Sequence, residues 1–391
     1  MKILHVIPGI APRYGGPSLA INGMSRALIE AGVEVLVATT DADGAGQLAV
    51  PLAEITDYQG VPTIFFRRQW SEAFKYSQPL AQWLQKHAGE FDVIHIHAVF
   101  SHACLAAGRA ARKWRVPYIV RPLGTLAPWS LEQKSRRKQL FWHLGVKKFL
   151  QQAAAIHYTA QQEQELTEKS LGLQNGVVIP LGVELKFEET EAEDVFRIRF
   201  PTLGRQAYIL VLARLHPKKG QDLLLEAFLS LTRQTEFAAW RLVLAGDGEA
   251  VHKARLEKIV QDSGQTDKVI FTGWIGGAQK NAALKYASLL ALTSHQENFG
   301  LCVVEALALG VPVLVSPHVD IAPDIAAADV GWVSPLDADA LRQNLATALR
   351  DKAARETKGA AGRIFVERYQ WPGIAGSLKS LYGDVIRECA L

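Results

Sequence analysis

The chain has 391 residues, a formal charge of +4, and a composition 49% hydrophobic and 21% charged, that of an ordinary globular protein. No apolar run approaches the roughly 20 residues a membrane-spanning helix needs, and the length exceeds what one hydrophobic core usually organises, so two α/β domains are expected. Cys104, Cys302 and Cys389 are odd in number and far apart; they fit a reducing compartment and read as buried structural thiols.

In chain order, the opening Met-Lys-Ile-Leu-His-Val-Ile-Pro is too short for a signal-peptide core and reads as a first strand, Lys2 to Ile7. Gly15-Gly16 follows in a Pro/Gly-rich loop, where bare backbone would let an anion or an acceptor approach. A flexible surface loop is the other reading. Pro17 and Ser18 suit the start of an amphipathic helix that ends at Gly32. Strands are predicted at Glu34 to Thr39, Val61 to Arg67, Val93 to His97, Tyr118 to Val120, Ala155 to Thr159 and Val177 to Pro180, with helical segments between several of them. That alternation implies a mainly parallel sheet covered on both faces. His95 and His97 alternate along one strand and share a face. Both could bind a metal, but no third ligand is evident, so a structural or acceptor-contact role is expected. Asp41-Ala-Asp43 has the spacing of a divalent-ion clamp but lies in a Gly/Ala-rich loop. Metal-independent chemistry is expected.

Charge is unevenly spread. Arg67 to Lys148 holds 15 Lys/Arg against 4 Asp/Glu. Within it, the segment from Trp129 to Leu150 mixes cations with Trp and Phe. Such a helix could lie on an anionic membrane surface or meet a phosphorylated acceptor; a solvated basic face over an internal apolar stripe fits equally. Nucleic acid is not expected, because no recognition module accompanies the basic residues.

From Glu184 the composition turns acidic, and 191–205 is read as a linker between domains at 1–190 and 206–370. A second strand series begins at Tyr208 and continues at Arg241, Val269, Ser288 and Val311, ending near Gly331. The fold class is therefore α/β, two doubly wound Rossmann-like domains, with a cleft between them as the default site. Arg214 follows the first strand of the second series, and Lys219 comes five residues later. Two fixed cations there would neutralise and stabilise a departing diphosphate, although ordinary surface charges have the same appearance. Gly246-Asp-Gly248 lacks the three-glycine spacing of a dinucleotide fingerprint and could be a plain turn. Gly273 and Trp274 end another strand, where backbone could meet a base edge and Trp274 either helps or simply packs. Most informative is Glu297-Asn-Phe-Gly-Leu, followed by Glu305-Ala-Leu-Ala-Leu-Gly. The carboxylates converge best if Glu297 lies on the loop and Glu305 lies inside the following helix, with free amides near Gly300 facing an anion.

These motifs together resemble the retaining glycosyltransferases of the large family numbered four, with the GT-B fold, over nearly the whole chain. The resemblance implies that Glu297 contacts donor-sugar hydroxyls, Glu305 holds the nucleotide ribose, and Arg214 and Lys219 bind the diphosphate. Backbone amides at Phe299, Gly300 and Leu301 would assist, with Asn298 also on the donor side, and Gly15 and Gly16 would approach from the first domain. The segment 371–391 would cross back as a helix onto the first domain. In one place the pattern departs: many relatives carry His directly before the glycine that is here Gly124, and this chain has Leu123. His97 or Arg121 would then substitute on the acceptor side, near Leu123, Gly124 and Thr125, or a phosphate oxygen of the leaving group takes the acceptor's proton. The implied activity is hexose transfer from a UDP- or GDP-type sugar, with no cofactor, to a glycan or lipid-linked saccharide, in the cytoplasm or peripherally on the inner face of the cell membrane. A catalytically silent nucleotide-sugar binder or scaffold is the alternative.

Overall fold

The computed structural model describes residues 1–132, 142–184 and 193–390. The chain divides into two compact units, Met1–Val183 with Tyr369–Leu391, and Glu184–Arg368. Each is a Rossmann-like sheet flanked by helices. The first unit contains β1 (Lys2–Val6), β2 (Glu34–Thr40), β3 (Ala42–Asp43), β4 (Gly46–Gln47), β5 (Ile55–Asp57), β6 (Pro62–Phe66), β7 (Val93–His97), β8 (Tyr118–Arg121), β9 (Ala155–Tyr158) and β10 (Gly176–Val178). Eight of these form one sheet in the order β10-β9-β8-β7-β1-β2-β6-β5, while β3 and β4 pair separately. All neighbours in the eight-stranded sheet are parallel except β5, an antiparallel edge strand on β6. The expectation of a plain loop at Asp41-Ala-Asp43 is corrected, because Ala42–Asp43 pairs with Gly46–Gln47; these strands, like β5 with its Ile-Thr-Asp, are too short to carry a burial pattern.

The two faces of this sheet differ. Leu4, Val6, Ile94, Ile96, Val120 and Ile156 point into an aliphatic core beneath the helices Gln78–His87 and His102–Trp114. The alternate residues His5, His95, His97, Arg121 and His157 lie on the opposite face, fully buried or nearly so. Both faces follow from period-2 alternation. The helix Trp371–Ala390, whose Ile374, Leu378, Tyr382 and Val385 are buried, contacts the helix Gly16–Glu30 and strand β7. Its Trp371 indole occupies the space a Cβ would take at Gly23 and Gly182, 2.3 and 2.2 Å away, so both positions need glycine for this helix to dock.

In the second unit, β11 (Tyr208–Leu212), β12 (Arg241–Ala245), β13 (Val269–Gly273), β14 (Leu289–Leu292), β15 (Val313–Val315) and β16 (Gly331–Val333) form a wholly parallel sheet. The order is β13-β12-β11-β14-β15-β16. Chain order runs outward from β11 to one edge and then resumes on its other side at β14, so the topological switch point lies between the ends of β11 and β14. The segment expected as linker is partly structured. A helix at Glu193–Arg199 places Phe196, 1% exposed, beside Phe200 and Tyr208, with ring centroids 5.0 and 6.0 Å away. An aromatic i, i+4 pair within an acidic stretch accounts for this. Of the cysteines, Cys104 is buried, Cys302 part-buried and Cys389 exposed, so the expectation of three buried thiols is corrected at Cys389. Among the described residues no helix is long and apolar enough to cross a membrane. The central part of the expected basic helix, 133–141, lies outside the described residues.

Candidate active site

The second unit gathers its charged groups at the switch point. The loop after β11 carries Arg214, Lys218 and Lys219; the loop after β14 carries Glu297. Gly220, with φ +58°, is what lets these loops touch, since a Cβ there would stand 2.2 Å from the Thr293 carbonyl oxygen. The His295 amide donates to the Lys218 carbonyl at 2.8 Å, joining the loops a second time. Glu297 is then clamped from the β15 side: its amide donates to the His318 carbonyl, and the Asp320 amide donates to the Glu297 carbonyl, each at 2.9 Å.

Lys219 Nζ donates to Glu297 Oε2 in a part-buried ion pair. Burial alone would raise the Glu297 pKa, but Lys219, Lys218 and Arg214 outweigh it and hold the carboxyl below its ordinary range. Glu297 is therefore an ionised, acceptor-only group suited to hydroxyl donors. Arg214 is exposed, and among the described residues its side chain has no hydrogen bond or ion pair. Lys218 escaped the sequence reading. Burial pushes its pKa down to about 8, with Glu297 opposing and Lys219 and Arg214 adding to the fall. Two adjacent lysines look alike in sequence, and only the packing shows which is desolvated.

Gly300, with φ +76°, caps the helix Leu301–Ala308, whose first amides have no carbonyl a turn before them. Phe299 is 2% exposed and Asn298 part-buried. Glu305 sits in the second turn of this helix and accepts from Lys280 Nζ at 2.8 Å through Oε1. Lys280 was also missed; it lies on the helix Gly277–Lys285 that follows β13. Cys302 lies between the two glutamates in sequence, and burial followed by Glu297 raises its thiol to about 12, which keeps it neutral.

The glycines behind these groups join strand ends together. A Cβ at Gly246 or Gly248 would stand 2.0 Å from the carbonyl oxygen of Ala213 or Leu215. The Gly246 amide donates to the Gly273 carbonyl at 2.9 Å. Close backbone approach thus explains Gly246 and Gly248 by itself, and holds the Arg214 loop in place. Gly273 has φ +69° with open space where a Cβ would be. Trp274 is 68% exposed, its ring lying over Gly276, so it is not a core residue.

Comparison with known proteins decides what this site belongs to. Residues 194–365 match the family model described as glycosyl transferases group 1, and residues 15–182 match the glycosyl transferase 4-like domain. An uncharacterized glycosyltransferase of Methanocaldococcus jannaschii is 25% identical over 98% of both chains. The GDP-mannose:cellobiosyl-diphosphopolyprenol alpha-mannosyltransferase of Xanthomonas oryzae is 24% identical, covering 99% of this chain and 97% of that protein. The crystal structure of Anabaena HepE in complex with UDP and glucose superposes with a TM-score of 0.79 at 20% identity, covering 98% and 100% of the two chains. The chain is a GT-B, family 4-like glycosyltransferase.

In the first unit of this glycosyltransferase, Gly15 has φ +68° and open space beyond its Cα, and Gly16 begins the first helix. The loop before them is held by Tyr14, whose hydroxyl donates to Glu72 Oε1 at 2.6 Å and accepts from the Gly44 amide at 3.0 Å. Strain collects where β7 and β8 end: Ala98 and Leu123, neither of them glycine, have φ of 91° and 57°. The Gly124 amide donates to the buried Glu163 Oε1 at 3.2 Å, and Thr125 Oγ1 donates to the Pro122 carbonyl at 2.6 Å.

His97 and Arg121 are not at an open surface. The reading of His95 and His97 as lacking a third ligand is corrected, because His5 of β1 brings a third imidazole, with one nitrogen of each within 4.8 Å of the others. Hydrogen bonds order these rings. His157 Nε2 faces the Ile179 carbonyl at 2.7 Å and must carry its proton, so His157 Nδ1 accepts from His95 Nε2 at 3.3 Å, and His95 Nδ1 accepts from the Tyr382 hydroxyl at 2.8 Å. Arg121 Nη1 donates to His97 Nδ1 at 3.5 Å, and His97 Nε2 then donates to His5 Nδ1 at 2.8 Å. His97 keeps no nitrogen for a substrate in this arrangement, and a guanidinium beside the rings opposes a dication. Burial, with Arg121 adding, pushes His5 to about 3; burial likewise takes His157 to about 3 and leaves His95 and His97 well below the ordinary imidazole value. Arg121 itself is lowered to about 10 by burial against the pull of Glu163. The signal the sequence offered was His5, at the same alternating phase of the first strand, but its partners are 90 or more residues away.

Proposed function

We propose that this glycosyltransferase moves a hexose from a UDP- or GDP-type nucleoside diphosphate sugar to a hydroxyl of a glycan or lipid-linked saccharide, with retention at the anomeric carbon and without a metal ion. The observation that carries the donor half is the ionised Glu297 held among Lys219, Lys218 and Arg214 at the switch point of the second unit. In this reading the three cations take the diphosphate and stabilise the charge that grows on it as the glycosidic bond breaks. Glu297 then accepts from donor-sugar hydroxyls. Glu305, with Oε1 taken by Lys280, offers Oε2 to the ribose, and the amides from Phe299 to Leu301 meet the diphosphate. Gly246 and Gly248 shape this wall, and Gly273 and Trp274 present a bare turn and an exposed ring to the base. A leaving phosphate oxygen accepts the acceptor's proton, so the step needs no side-chain base. The acceptor side is assigned to Gly15, Gly16, Leu123, Gly124 and Thr125 at the strained strand ends of the first unit, with His97 and Arg121 supporting them from beneath.

The X. oryzae relative, named for a diphosphopolyprenol acceptor, and the basic 67–148 region support a lipid-linked acceptor and a peripheral position on the inner membrane face. Thermal-shift titration with UDP-, GDP- and ADP-sugars tests the donor, since a ligand of the folded state raises its melting temperature. Undiminished turnover in Glu305→Ala or Lys219→Ala would defeat the reading. Donor binding with neither transfer nor slow hydrolysis would leave a silent binder instead.

A further inference from the structure

A cavity of about 400 Å³ opens in the first unit beside the helix His102–Trp114. Leu105, Arg109 and Arg112 line it from one helix face, at i, i+4 and i+7. Val146, Lys148 and Phe149 line it from the segment Trp142–Gln151, and Phe74 closes a further side. The apolar wall is fixed. A Cβ at Gly108 would stand 2.5 Å from the Phe149 ring, so that ring rests directly on the helix backbone, and it stacks on Tyr118 with centroids 5.5 Å apart.

The charges are not spent internally. Arg109 and Lys148 are exposed, and among the described residues neither has a hydrogen bond or ion pair from its side chain. Arg112 donates from Nη1 to Gln152 Oε1 at 2.8 Å and from Nε to the Gly108 carbonyl at 3.3 Å, both uncharged acceptors. Among the described residues, none that lines the cavity is acidic. Three uncompensated cations over an apolar wall complement an anion joined to hydrocarbon. A free inorganic anion would leave the apolar side of this lining in water, and a purely apolar ligand would leave the three cations without a counter-charge.

We propose that this cavity seats the phosphate and adjoining methylenes of one anionic membrane lipid, with Arg109, Arg112 and Lys148 on the phosphate and Leu105 and Phe149 on the chain. The site sets where the first unit meets a membrane. It rests on the membrane half of the reading above and not on the donor half.

The test is co-sedimentation of the full chain with vesicles of phosphatidylcholine alone and of phosphatidylcholine with phosphatidylglycerol, for wild type, Arg109→Ser, Lys148→Ser and Leu105→Gln. The expected result is binding only to the anionic vesicles, weakened about fivefold by each lost cation. Leu105→Gln, which changes no charge, is expected to weaken it by a similar factor. Melting curves with UDP run in parallel: an unchanged UDP shift in all variants shows that they are folded and separates a failed lipid site from a failed donor site. Binding that follows charge but ignores Leu105→Gln overturns the seat in favour of a diffuse basic surface. Equal binding by all variants, or full competition by inorganic phosphate, overturns it outright.

Discussion

Two clusters of ionisable side chains, one in each unit, take opposite electrostatic courses. In the second unit Glu297 remains ionised against the cost of burial because Lys219, Lys218 and Arg214 surround it. In the first unit His5, His95, His97 and His157 are buried on one face of the sheet, where Tyr382 of the C-terminal helix bonds His95 and Arg121 is the cation beside them, and burial keeps all four neutral. Opposite charges in a part-open loop retain charge for a ligand; like groups sealed beneath a helix give it up and become a directional hydrogen-bond network. On the proposed reading the first arrangement binds the donor, while the second ties the C-terminal helix to the sheet through Tyr382 and His95.

Acid is the strongest way to break that contrast. His5 and His157 have folded pKa values of about 3, and His95 and His97 lie well below the ordinary 6.5, so the unfolded chain binds more protons as pH falls below about 6.5. Stability is therefore full above pH 6.5 and falls as pH drops, by up to about 1.4 kcal/mol per pH unit for each imidazole. Urea unfolding at pH 7.5, 6.0 and 5.0 measures this. His5→Phe together with His157→Phe should flatten the slope, and an unchanged slope would show that the histidines are not its source.

The proposed donor-binding role of the other cluster is tested by Lys219→Ala. Removing one fixed cation from a developing diphosphate is expected to lower kcat about 100-fold or more, roughly 3 kcal/mol. Since Glu297 would lose its ion-pair partner at the same time, Lys219→Ala and Glu297→Gln should be strongly non-additive in the double variant. Additive losses would mean that the pair seen here does not act as a unit. At the junction of the same loops, Gly220→Ala would drive a Cβ to 2.2 Å from the Thr293 carbonyl at a positive φ. A destabilisation of about 2 kcal/mol is expected, read as a lower melting temperature.

The unequal legibility of the clusters has the same origin. Arg214, Lys219, Glu297 and Glu305 sit at strand ends and a helix start whose sequence signals are local, so their spacing alone suggested that they could meet. Thirteen strands were visible as β-branched or apolar runs for the same reason, whereas the two-residue β3 and β4 and the largely exposed β5 left no pattern. The histidine network is assembled across β1, β7, β9 and the C-terminal helix, with His95 and Tyr382 separated by 287 residues. Only strand order and register bring them together. Lys280, as partner of Glu305, and the helix Glu193–Arg199 were hidden likewise, one by distance and the other by the acidic residues around it.

Lys218 offers the smallest and sharpest test, because it stands between the two regimes. Burial depresses it as it depresses the histidines, but the neighbouring carboxylate stops the fall at about 8. In the ligand-free protein it is largely charged at pH 7 and largely neutral at pH 9, so a diphosphate arriving at the higher pH must draw a proton onto it. UDP affinity should be level below about pH 7.5 and weaken several-fold by pH 9, with proton uptake detectable as a buffer-dependent binding enthalpy. Lys218→Arg keeps its charge throughout this range and should remove both the inflection and the proton uptake while retaining UDP binding at pH 7. If the variant kept the wild-type pH profile, the titration would belong to another group, and Lys218 would be a buried bystander to the Lys219–Glu297 pair.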